Sequence, residues 1–240
     1  MEIGKAFTFI TSEDNWIKKI GIGAVVALFS GLIPIIPTML IMGYGIQVGK
    51  NVLRGDEHPL PEWEEWGQLF MDGAVVWIVT FIYALPLMIL GLCMTFLWLP
   101  VITEAADSGE FVFGGISGVA TGGIAVLCCL LFLYFLVFIA LVPAIYVQYI
   151  RTGEFGPLFR VGEVFGIARD NIGDIILAVV AIIVAGLLVG LVSVILSITI
   201  CGGIIAGLVG GAWISVAIGH MFGQIAAKID SKSDDAAYAM

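Results

Sequence analysis

Residues 175–227 read IILAVVAIIVAGLLVGLVSVILSITICGGIIAGLVGGAWISVAIGHMFGQIAA, 53 positions without an Asp, Glu, Lys or Arg. A helix that crosses the hydrocarbon core of a bilayer needs roughly 20 such residues. The stretch is long enough for two crossings, and Cys201-Gly202-Gly203 near its middle supplies the turn between them. Three more charge-free stretches lie upstream: Ile20–Gly49, Gly73–Thr103 and Phe111–Ile150. Lipid offers a backbone no hydrogen bonds, so only helices or a closed barrel can cross. The period-2 alternation of barrel strands is missing, which leaves helices. The expected fold is all-α: a polytopic transmembrane helix bundle of about five spans.

Composition agrees. The chain has 240 residues, 60% hydrophobic and 12% charged, with a mean hydropathy of +1.11, whereas a soluble domain carries roughly 25% charged residues. Cys93, Cys128, Cys129 and Cys201 all fall in apolar stretches with no CxxC spacing, so they read as free thiols acting as small hydrophobes. The first long apolar run starts only at Ile20 and continues too far for a cleavable signal peptide. Residues 1–10 read as a short surface helix with Ile3, Phe7 and Ile10 on one face, and Ser12 as an N-cap for the first span.

The connections repeat a plan. After the first stretch come Lys50, Arg54, Gly55-Asp56-Glu57-His58-Pro59-Leu60 and Pro61-Glu62-Trp63-Glu64-Glu65-Trp66. After the third come Arg151, Thr152-Gly153-Glu154-Phe155-Gly156-Pro157-Leu158 and a segment with Arg160 and Glu163. Each joins a Gly-acidic turn to a Pro-Leu step and a short amphipathic stretch. The first stretch predicts a helix from Pro61 with Trp63, Trp66 and Phe70 on one face, anchoring it in the headgroup layer. In the second, Leu158, Val161, Phe165 and Ala168 form the equivalent stripe. The chain thus divides into an N-terminal interfacial segment (1–19), repeat 1 (20–103), repeat 2 (111–199), an extra span (201–229) and a tail (230–240), all one membrane domain. The two repeats enter the membrane from the same side, as parallel repeats do.

Gly31-Leu32-Ile33-Pro34, Gly43-Tyr44, the run from Arg54-Gly55-Asp56 to Leu60-Pro61-Glu62-Trp63, then Gly73, Tyr83 and Pro86 together resemble the family known as domain of unknown function 4013. The resemblance is specific over residues 20–90 and implies a multi-pass membrane protein of about this length. It implies no activity and no catalytic residue.

Basic residues are one-sided. Lys50, Arg54, Arg151, Arg160, Arg169, Lys228 and Lys232 share the surface of the amphipathic segments and the C-terminus, while the connections at 104–110 and 200–203 have none. The positive-inside rule places that surface in the cytoplasm, with the chain in the cell membrane. A single kinked span over Ile20–Gly49 puts Lys5, Lys18 and Lys19 outside, against the rule. A re-entrant hairpin folded at Pro34-Ile35-Ile36-Pro37 puts them inside and gives six segments. The kinked span is favoured because the matching third stretch reads as a full span.

Candidate chemistry is sparse. Gly115-Ile116-Ser117-Gly118 and His220 invite comparison with an intramembrane serine protease, but the expected topology sets them roughly 27 Å apart in depth, and a serine needs its base within about 3 Å. His220 is a weak candidate for a haem or pigment ligand, with a hydrogen-bonded interfacial histidine as the alternative. No metal-site spacing, P-loop or dinucleotide fingerprint appears, and no polybasic cluster suggests nucleic acid. No enzyme activity and no cofactor are expected. The clearest pattern concerns packing. Gly203, Gly207, Gly211, Ser215, Gly219 and Gly223 recur every fourth residue, as do Gly114, Gly118 and Gly122, and Gly186 and Gly190. Such stripes let helix backbones approach closely. The expected role is therefore a non-enzymatic membrane protein acting by helix packing, as a homo-oligomer or a subunit of a membrane assembly, with the lipid bilayer as its other partner. The alternative is a passive channel or transporter for a small or lipidic solute.

Overall fold

A computed structural model describes residues 2–108 and 118–238, and every regular element among them is helical. The helices are α1 (Ile3–Thr8), α2 (Trp16–Phe29), α3 (Ile35–Arg54), α4 (Trp66–Ser108), α5 (Gly118–Thr152), α6 (Val161–Asp170), α7 (Ile172–Leu196) and α8 (Ile200–Tyr238). Among the described residues, four segments are long and apolar enough to cross a membrane: Trp66–Leu99, Gly122–Thr152, Ile172–Leu196 and Cys201–Ser233.

The first charge-free stretch is not one kinked span. It is two helices, α2 of 14 residues and α3 of 20, separated by a turn over residues 30–34. The cause is the spacing of two prolines. Pro34 and Pro37 lack the N–H groups that a continuous helix would donate to residues 30 and 33, so two bonds within one turn are lost rather than one. At the start of α3 the same prolines are harmless, because first-turn N–H groups have no helical partner there. Pro143 stands alone inside α5, and that helix runs through it. The start of α2 and the end of α3 meet again: Lys19 Nζ donates to the Leu60 carbonyl at 2.6 Å and Asn51 Nδ2 to the Pro59 carbonyl at 2.9 Å. The stretch is thus a hairpin that returns to its starting end. At 1.5 Å per residue its first arm reaches only ~21 Å, short of the ~30 Å hydrocarbon layer.

The chain forms two compact units, residues 1–79 with 142–240, and Thr80–Leu141. In the first, α8 packs against α1, α2, α3 and α7. Helix α3 runs parallel to it, with Ile41 beside Ser215 and Gly49 beside Gly223, and α7 runs antiparallel, with Ser193 near Gly203 and Asp174 bonded to Lys228. Arg151 pairs with Asp230 at 2.6 Å, and the Glu2 N–H reaches Gln224 Oε1 at 2.7 Å. The N-terminus, the end of α5, the start of α7 and the end of α8 therefore share one end of this unit. Gly55, at φ 80°, closes α3 there in the left-handed conformation that glycine adopts without steric penalty. In the second unit, Tyr134 Oη donates to the Tyr83 carbonyl at 2.7 Å.

The two amphipathic segments differ from expectation. No helix starts at Pro61; residues 59–65 are irregular and α4 begins at Trp66. The second segment does form a helix, α6, after a 3-10 turn over Gly156–Phe159. Its buried face is Val164, Ile167 and Ala168, joined by Leu158, while Val161 and Phe165 are half exposed. Of the expected stripe, Leu158 and Ala168 are buried, while Val161 and Phe165 give way to Val164 and Ile167. Gly114 and Ser117 lie outside the described residues.

Candidate functional site

The small-residue stripe of α8 divides by neighbour. Its last three members lie against α3. Ser215 Oγ donates to the Ile41 carbonyl at 3.2 Å. A Cβ added to Gly219 would fall on the Gly45 carbonyl oxygen, and one at Gly223 would sit 2.6 Å from that of Gly49. The contact is reciprocal, since a Cβ at Gly45 would lie 2.9 Å from the Ser215 carbonyl oxygen and one at Gly49 2.9 Å from that of Gly219. Of the first three, Gly203 would meet the Ser193 carbonyl of α7 at 2.9 Å, Gly207 has Ser193 Oγ at 3.7 Å, and Gly211 has open space. A second crossing joins α3 to α4, where a Cβ on Gly43 would strike the Leu69 carbonyl and one on Gly73 that of Met39. Gly186 and Gly190 of α7 are exposed, with nothing within 4 Å of an added Cβ.

The loop after α3 is held by a buried ion pair. Glu13 and Lys19, 5% and 7% exposed, lie 3.4 Å apart. Glu13 Oε1 accepts the Leu60 N–H at 2.8 Å while Lys19 Nζ donates to the same residue's carbonyl, so one peptide unit on each side of Leu60 is gripped by opposite charges. Trp63 Nε1 donates to the Lys19 carbonyl at 2.9 Å, and its ring stacks on Tyr44 with centroids 4.3 Å apart. Tyr44 Oη donates to the Pro61 carbonyl at 2.9 Å. A loop buried against helices must satisfy its backbone groups internally, and these side chains do so. This geometry explains the missing helix: Trp63 is drawn into the core and is buried, rather than facing outward beside Trp66 and Phe70. Trp66 is 42% exposed and Phe70 half-buried.

Between α3, α4 and α5 lies a cluster that sequence reading missed. Asp72 is 2% exposed. Its carboxylate accepts Lys50 Nζ at 3.0 Å on both oxygens, Tyr149 Oη at 2.7 Å, and the Gln47 side-chain amide. The Lys50 ammonium also sits 4.9 Å from the centre of the Tyr149 ring. A buried carboxylate with this many donors is paired and hydrogen-bonded, as a charge in low dielectric must be. The signal was present but easily overlooked: Lys50 closes one charge-free run and Asp72 immediately precedes the next. In antiparallel neighbours those two borders fall together.

His220 is 4% exposed, its ring stacked on Phe9 at 4.3 Å. Gln224 Oε1 already accepts the Glu2 N–H, so the Gln224 amide nitrogen, 3.0 Å from His220 Nδ1, is the donor. Nδ1 is then the acceptor, and the ring proton is assigned to Nε2. One ring nitrogen and one ring face of His220 are thus engaged by the protein. His220 also lines a cavity of about 630 Å³ shared with Lys5, Glu57, Asp174 and Lys228. Among the described residues, no three His, Cys, Asp or Glu side chains gather in metal-binding fashion.

A family profile described as protein of unknown function (DUF4013) matches residues 25–198. No curated protein and no solved structure matches the chain.

Proposed function

We propose, from the premise that this chain belongs to the DUF4013 family of proteins of unknown function, that it is a non-catalytic membrane bundle acting by association with copies of itself or with other membrane subunits. The observation that carries this reading is the unused stripe on α7. In α8 the small residues Ser215, Gly219 and Gly223 are occupied by α3 of the same chain, whereas Gly186 and Gly190 meet nothing. They lie among the exposed side chains of Ile183, Leu187 and Val194. In lipid, where tails are as apolar as the helix, close backbone approach is what drives helices together.

The polar end of the first unit, with α6 and the C-terminus, faces the cytoplasm in this reading. The hairpin supports it, because Lys5, Lys18 and Lys19 join Lys50, Arg54, Arg151, Arg160, Arg169, Lys228 and Lys232 at that end, which accounts for all ten Lys and Arg of the chain.

The test is the mass of the complex purified in mild detergent. We predict an assembly larger than one chain, converted to monomer by Gly186→Leu with Gly190→Leu while helix content is unchanged. A wild-type monomer, or an assembly indifferent to both substitutions, overturns the reading. The buried Lys50–Asp72 pair favours a second reading, passive passage of a small or lipidic solute, because ionisable groups inside membrane bundles mark pathways. Flux in liposomes that disappears in Asp72→Asn, under conditions where that variant keeps the helix content of the wild type, would select it.

A further inference from the structure

The two arms of the N-terminal hairpin touch but leave one side open. Between them runs a cleft of about 670 Å³, walled by Ile22, Val25, Phe29, Ile33, Pro37 and Leu40 among others. Its size is within the roughly 300–1,000 Å³ of small-molecule sites. It extends from Lys18, in the first turn of α2, toward Ile33 at the hairpin turn, and Trp66 stands on its wall at the Lys18 end. Apart from Lys18 its lining is apolar or indole. Lys18 is exposed and makes no ion pair among the described residues, whereas its neighbour Lys19 is held by Glu13 and Glu62.

We propose that this cleft binds one membrane phospholipid, an acyl chain lying between α2 and α3 and the headgroup phosphate on Lys18. The charge pattern selects this occupant over another helix. A free ammonium at one end of an otherwise apolar trough complements a molecule that is anionic at one end and hydrocarbon for the rest, and the indole of Trp66 suits the headgroup boundary between them. The short first arm agrees, since a helix of ~21 Å keeps Lys18 at headgroup depth while the turn stays within the hydrocarbon.

Gly21 makes the cleft testable. It lies on the wall and an added Cβ there meets nothing within 4 Å, so a side chain at this position starts from open space at the cleft. The experiment titrates the purified, delipidated full chain with phosphatidylglycerol, and separately with the diacylglycerol of the same chains, and counts bound lipids by native mass spectrometry. One phosphatidylglycerol should remain on the wild type at the lowest lipid excess. Gly21→Phe should weaken that binding by at least roughly tenfold. Lys18→Gln should weaken phosphatidylglycerol about threefold, the scale of an exposed ion pair, and leave diacylglycerol unchanged. Gly21→Phe binding like wild type overturns the proposal, as does Lys18→Gln treating both lipids as wild type does. A wild-type dimer that takes up no lipid and falls to monomer in Gly21→Phe also overturns it, by assigning the cleft to a second copy. Lys18 is a surface side chain, so that arm stands even where the Phe variant fails to fold.

Discussion

At the scale of single residues, glycines of one stripe are not equivalent. Gly219 opposes the Gly45 carbonyl and Gly211 faces open space. We predict that Gly219→Leu lowers the thermal stability of the purified protein by at least the ~1–3 kcal/mol of overpacking, since backbone rather than a yielding side chain blocks it. Gly211→Leu should stay within about 0.5 kcal/mol of wild type, as surface changes do. Equal losses at both would show that the α3–α8 seam is not where stability resides. The Asp72 cluster offers a second comparison. Removing one member of a buried ion pair leaves the other charge without compensation and costs about 3–5 kcal/mol. Asp72→Asn and Lys50→Met should each destabilise strongly, and the double variant by much less than the sum. A double-mutant cycle with strictly additive losses would contradict the pairing.

Among elements, the loop of residues 55–65 is irregular in backbone yet tied at several points by side chains. It is fastened by Glu13, Lys19, Tyr44 and Asn51, which come from both arms of the hairpin and from the segment before it. Disturbing the grip should release the loop before the bundle. Trp63→Phe keeps a ring over Tyr44 and loses one hydrogen bond, for about 1 kcal/mol. Trp63→Ala loses the stack and the burial too, for about 3–5 kcal/mol. Limited proteolysis after Glu64 or Glu65 should therefore be slow in the wild type, little faster in Trp63→Phe, and much faster in Trp63→Ala. Cleavage at wild-type rate in Trp63→Ala would mean that the loop is held without the tryptophan.

For the whole molecule, the hairpin makes a prediction that the kinked span would reverse. With Cys93, Cys128, Cys129 and Cys201 replaced, single cysteines at Thr11 and Ser233 should share one side of the membrane. Both are exposed, and both lie at the end that holds all the basic residues. Ile198, 91% exposed between α7 and α8, lies at the far end of those helices. An impermeant thiol reagent added to intact cells should label Ile198→Cys and spare the other two. Labelling of Thr11→Cys together with Ile198→Cys would restore a single crossing over Ile20–Gly49.

Local chemistry alone determined that this chain is helical and suited to a membrane. A run such as Ile175–Ala227 is apolar for 53 residues whatever it packs against, and a backbone in lipid has one way to satisfy itself within a segment. That this run must turn near its middle, the one-sided lysines and arginines, and the glycine period of α8 were legible for the same reason: each is a property of neighbours in sequence. The position of the turn was not, for it falls at residues 197–199, and Cys201-Gly202-Gly203 lie in the first turn of α8. Pairings between distant segments were not legible. That Pro34 and Pro37 break a helix is local, but that the arms then return depends on Lys19 reaching Leu60, 41 positions away. Which of the apolar residues of α6 are buried was decided by what lay beneath: Val164 and Ile167 turn inward, and Val161 and Phe165 do not. Trp63 reads as an anchor in its own segment and becomes core only because Tyr44 and the Lys19 carbonyl are waiting for it. Asp72 reads as the polar edge of a span until Lys50 and Tyr149 close around it from two other helices. Burial and charge pairing are decided by partners far along the chain, and only the tertiary structure brings those partners together.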